Sequence, residues 1–68
     1  MAEKYVTTRR LVRALRLAQG LTQAQVAERA GVDYKYYQRF EAGQTPDPSL
    51  KWIETLAGVF GLPIWILL

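Results

Sequence analysis

The segment Thr22–Glu41 leaves the chain least freedom. Thr22 and, three residues later, Gln25 make a capping box, in which each side chain satisfies a backbone donor that a helix start leaves unpaired. The helix they open carries Val26, Ala27 and Ala30 on one face, and the two alanines are small enough to let another helix approach. Gly31 stands where a sharp turn is needed, because glycine enters left-handed backbone cheaply. Asp33 then caps a second helix, and Gly43 closes it. On that helix Lys35 and Arg39, four residues apart, share one face. Two short helices joined by a tight turn at Gly31 and Val32 have the helix-turn-helix spacing.

The flanks extend the helical pattern. Residues 1–6 read as a frayed tail, and either Thr7 or Thr8 caps a first helix that runs to about Gln19. Leu11, Val12, Leu15 and Ala18 make its apolar stripe, with Arg9, Arg13 and Arg16 off the stripe and Gly20 ending the helix. Gln44–Asp47 form a polar loop. Asp47 is expected to cap a fourth helix with Pro48 in its first turn, where the missing N–H is expendable. Leu50, Ile53, Leu56, Ala57 and Phe60 are that helix's core stripe, and Gly61 stops it. Leu62–Leu68 is almost wholly apolar and predicts a short fifth helix or its opening turns. The fold class is therefore all-α, one domain over residues 1–68.

A 68-residue chain has room for a single domain and buries only about 60% of the surface its unfolded form exposes. It has no cysteine and no histidine, so neither disulfides nor the usual metal ligands support it, and no cofactor or metal is expected. The 9 Lys+Arg against 6 Asp+Glu favour a polyanion partner. Arg9, Arg10, Arg13 and Arg16 cluster near the start, either as a solvated helix face or to track a phosphate backbone. No nucleophile–base pair, glycine-rich phosphate loop or metal cluster suggests an enzyme. A signal peptide is not evident and the apolar end is too short for a bilayer, which needs about 20 residues, so a cytoplasmic location is expected.

Leu15-Arg16, Gly20-Leu21-Thr22-Gln23, Val26-Ala27, Ala30-Gly31-Val32, Arg39, Glu41-Ala42-Gly43 and Pro48-Ser49-Leu50 recur at consistent distances. With them the chain resembles the Cro/repressor-type, or XRE, helix-turn-helix family from Val12 to about Leu62. The resemblance implies a compact five-helix bundle of the phage-repressor type that binds operator DNA, usually as a symmetric homodimer. It places Tyr34, Lys35 and Arg39 at base edges in the major groove. It places Thr22, Gln23 and Tyr36 at phosphates, with Gln44 and Thr45 gripping the backbone from the following loop, and Tyr37 and Phe40 in the core. It also makes Arg16 and Glu41 a structural ion pair.

The residues agree with these roles, since Arg or Lys donating to guanine O6 and N7 is the commonest specific contact. Tyr34 either packs on a thymine methyl, donates to phosphate or is an exposed aromatic. Arg9, Arg10 and Arg13 are candidates for flanking phosphates, and Arg10 is assigned there. Three departures stand out: Asp33 puts a carboxylate near phosphates, the loop from Gly43 to Pro48 is one residue longer than usual in the family, and Leu17 replaces a polar residue. Ile64, Trp65, Ile66, Leu67 and Leu68 cannot all face one small core. Ile64, Trp65 and Leu68 are the expected homodimer contact, or else they cover another domain of a longer regulator. The rival reading of the whole is a protein-interaction module on the same fold.

Overall fold

The computed structural model describes residues 6–68: α1 (Val6–Ala18), α2 (Gln23–Ala30), α3 (Tyr34–Glu41), α4 (Leu50–Phe60) and a 3-10 turn (Ile64–Ile66). The part of the expected tail at residues 1–5 lies outside the described residues, while Val6 belongs to α1. The described residues are all-helical, and the element count is four α-helices plus the 3-10 turn rather than five helices. After Pro63 the chain winds tightly, with Leu67 N–H donating to the Ile64 carbonyl at 2.9 Å. That winding brings Leu67 into the core, where its own carbonyl accepts from the Thr8 hydroxyl at 2.8 Å.

Caps set most boundaries. Thr22 and Gln25 form the reciprocal capping box of α2, at 3.1 and 2.8 Å. Gly31 has φ 73° at the C-cap, and a Cβ there would meet nothing within 4 Å. Its requirement is therefore backbone conformation, not space. Asp33 Oδ2 accepts from Lys35 N–H at 2.9 Å and starts α3.

The fourth helix departs from expectation. Ser49 rather than Asp47 is its cap, accepting from Trp52 N–H at 3.0 Å. Pro48 is buried in the loop before it instead of lying in the first turn.

One core joins the helices. It contains Val12, Leu21, Val26, Ala27, Tyr37, Phe40, Trp52, Ile53, Leu56, Ala57, Phe60 and Leu67. Trp52 stacks edge-on against Phe40 and Tyr36, at 5.6 and 5.5 Å between ring centres, which ties α4 to α3. Its indole N–H is buried with no hydrogen-bond partner among the described residues.

The inward stripe of α1 is rotated from the expected one. Thr8, Arg9, Val12 and Arg16 are buried, Leu11 and Leu15 are partly so, and Ala18 is exposed. Neither Thr7 nor Thr8 is the cap, since α1 already begins at Val6. Leu50, expected in the α4 stripe, is 64% exposed because the helix enters the core only from Trp52 onward.

Candidate nucleic-acid interface

The outward side of α3 is defined by what its inward side is locked to. Tyr37 and Phe40 are completely buried, and Trp52 packs against Phe40. With those side chains fixed, helical geometry leaves Tyr34, Lys35, Gln38 and Arg39 exposed. Lys35 and Arg39 make no side-chain hydrogen bond or ion pair among the described residues, whereas Gln38 Nε2 reaches the Tyr34 hydroxyl at 3.4 Å. Tyr36 is only marginally exposed, because its ring lies against Trp52.

The carboxylate of Glu41, the last residue of α3, ties this helix to its neighbours. Glu41 accepts from Arg16 Nε at 2.6 Å and Arg16 Nη2 at 3.0 Å, from Gln23 Nε2 at 3.2 Å, and from the Tyr37 hydroxyl. Arg16 also donates to the Leu21 carbonyl at 3.0 Å. One side chain thus joins α1, α2 and α3. The ion pair is not a surface one, since the Arg16 and Glu41 side chains are 10% and 5% exposed.

These bonds shift the proton affinities of the groups they join. Burial alone would raise the Glu41 carboxyl, but the hydrogen bonds from Arg16, Tyr37 and Gln23 outweigh it and hold the group below its ordinary value. The Arg16 guanidinium is raised, chiefly by its hydrogen bond to Glu41. Burial, and then the bond to the Glu41 carboxylate, pushes the Tyr37 phenol well above its usual range.

Thr22 and Gln23 stand at the start of α2, where the first backbone N–H groups have no carbonyl one turn back to bond. That end favours an anion. Thr22 is exposed, and Gln23 is half-buried by its bond to Glu41. Arg10 is exposed on α1, and Gln44 is exposed after α3.

Thr45 lies in the loop after α3. Its hydroxyl accepts from Arg9 Nη1 at 2.9 Å, so it is half-buried in a structural contact. Arg9, a candidate for phosphate, is itself buried. It donates to the carbonyls of Phe40, Thr45 and Pro46 at 2.7, 3.0 and 3.1 Å, and its guanidinium carbon lies 4.9 Å from the centre of the Phe40 ring. It thereby holds the end of α3 and the loop after it. A positive charge there also suits the negative end of the helix.

A family model described as a helix-turn-helix domain matches residues 9–64. The chain belongs to the helix-turn-helix domain family. This agrees with the family resemblance read from the sequence, and the matched range contains α2, the Gly31 turn and α3. Neither curated proteins nor solved structures gave a match. No helix among the described residues is long and apolar enough to cross a membrane. Ile64 of the helix-turn-helix domain is half-buried, whereas Trp65 and Leu68 are 71% and 67% exposed. Leu17, the apolar departure on α1, is exposed as well.

Proposed function

We propose that this domain is a non-catalytic transcriptional regulator of the Cro/repressor type that binds double-stranded operator DNA with α3 in the major groove. One observation carries the reading: Lys35 and Arg39 project freely from a helix whose opposite side is fixed by Tyr37, Phe40 and Glu41. Lys35, Arg39 and Tyr34 address base edges. A good two-bond contact from such a side chain discriminates between bases by about 1–3 kcal/mol. Thr22 and Gln23 address a phosphate at the start of α2, with Gln44 and Arg10 on flanking phosphates, and Tyr36 at the edge of the interface.

Repression by blocking promoter access, in the cytoplasm at the nucleoid, is the simplest outcome of such binding. The exposed Trp65 and Leu68, with Ile64 beside them, support a homodimer contact. Selection of bound sites from random duplex DNA tests the proposal. The expected result is a two-fold symmetric site with half-sites about 34–36 Å apart. Failure to enrich any duplex at low salt rejects the reading.

The exposed aromatic rings of Tyr34 and Tyr36 favour a second reading, docking of α3 on a protein partner. Salt separates the two. Phosphate-driven binding weakens steeply as ionic strength rises, and an aromatic protein contact does not.

A further inference from the structure

One side chain ties down the loop between α3 and α4. At its start Gln44 N–H donates to the Arg39 carbonyl at 2.9 Å, and at its far end Pro48 is buried. Between these anchors, among the described residues, no backbone hydrogen bond reaches Thr45, Pro46 or Asp47. Pro46 has no N–H to offer. The hydrogen bonds these three residues do make all come from Arg9. Its Nη1 donates to Thr45 Oγ1 at 2.9 Å, and its Nη2 donates to the Thr45 and Pro46 carbonyls at 3.0 and 3.1 Å. Nη1 also donates to the Phe40 carbonyl, in the last turn of α3, at 2.7 Å.

The same fork therefore joins loop and helix. Guanidinium N–H groups lie in one plane at fixed angles, so four bonds from two nitrogens hold the loop in one position relative to α3. Arg9 is buried and forms no ion pair among the described residues. Burying a charge without a counter-charge is costly even when it is hydrogen-bonded, so stability alone accounts poorly for an arginine here.

The loop continues directly from the helix that carries Lys35 and Arg39. We propose that Arg9 is a positioning residue for DNA recognition, holding the α3–α4 loop at a fixed angle to α3 so that both meet the duplex as one rigid piece. The proposal rests on the DNA-binding reading and adds to it a residue that touches no nucleic acid. Ordering one loop residue costs about tenfold in an equilibrium constant, and Arg9 moves that cost from binding to folding.

The test compares wild type with Arg9→Lys, Arg9→Met, Thr45→Val and Phe60→Leu, each well below its melting temperature. Nitrogen-15 relaxation reports backbone order at Gln44, Thr45 and Asp47, and titration with a selected duplex reports affinity. Wild type should show order parameters of about 0.85 in the loop. Arg9→Lys keeps the charge without the fork, and Arg9→Met keeps only the stem. Both should drop the loop below about 0.6 and weaken binding by about tenfold or more. Thr45→Val removes one acceptor and no charge, so it should loosen the loop less and weaken binding by a smaller factor. If neither Arg9 variant folds, Thr45→Val decides, and wild-type order and affinity in it overturn the proposal. Phe60→Leu, at the far end of α4, disturbs the core without touching the loop and should keep wild-type order and affinity. An ordered loop in the Arg9 variants, wild-type affinity despite a loosened loop, or an equal loss in Phe60→Leu overturns the positioning role and leaves DNA binding standing. If the wild-type protein binds no duplex, the DNA reading falls and the positioning role with it, even where relaxation shows a clamped loop.

Discussion

Glu41 is the residue on which the most structure converges. Replacing it with Ala strands the Arg16 guanidinium among buried groups, and breaking a buried pair from one side destabilises by about 3–5 kcal/mol. Replacing both partners, as Arg16→Met with Glu41→Leu, should destabilise less than either single change, which urea unfolding of the three variants will measure. The same carboxylate makes stability depend on pH. The folded state holds Glu41 below its ordinary value of 4.5, so it binds fewer protons there than the unfolded chain does. Its stabilisation is complete above that value and drains away as pH falls through the lower, folded one. Tyr37 acts in the opposite range: its raised phenol gives stability below its ordinary value of 10.0 that is lost as pH rises beyond it. Melting temperature against pH should therefore fall at both ends, and a glutamine at position 41 should flatten the acid limb. Much of this network was hidden from the sequence. The resemblance supplies the pairing of Arg16 with Glu41, but the bond from Gln23 to the same carboxylate depends on helix positions that spacing along a chain does not reveal.

The helices themselves were the most readable part, because their ends are written in local chemistry. Thr22 with Gln25, Gly31, Asp33 and Gly43 each act within a few residues of their own position, so their signals survive without knowledge of the fold. Gly31→Ala should destabilise by about 1–2 kcal/mol through left-handed strain alone, since a methyl there meets no neighbour. Gly58 offers the contrast. It is exposed inside α4 with open space around its Cα, so Gly58→Ala should stabilise by about 0.5–1 kcal/mol in thermal unfolding. The stripe of α1 was less legible because two of its inward residues are arginines. Arg9 and Arg16 are seven apart and so share a face, and an inward Arg16 requires an inward Arg9. The cap of α4 was less legible too: Asp47 stands before a proline that suits a first turn, but Pro48 is buried in the loop and Ser49 satisfies the donor.

At the scale of the whole molecule, a single small core sets a thin margin of stability. The exposed apolar groups near the end of the described fold then matter for association more than for folding. Trp65→Glu should leave the melting temperature of the isolated domain almost unchanged, because its ring is largely in solvent. If the proposed homodimer forms there, the same change should convert it to monomer in gel filtration and weaken binding to a two-fold site. A wild-type monomer at high micromolar concentration rejects that contact. Arg39→Ala belongs to this scale too, since its readout is a whole binding profile: it should relax preference at one base position. Gln23→Ala should weaken binding to all duplexes evenly.

The freedom of Lys35 and Arg39 on a helix anchored from behind separates two kinds of change. Their side chains can be exchanged for others with little penalty to folding, typically within about 0.5 kcal/mol for exposed positions. The surface proposed to meet the nucleic acid is therefore an interchangeable face on a fixed mount, and under that proposal a few outward substitutions suffice to retarget the domain without rebuilding what lies beneath.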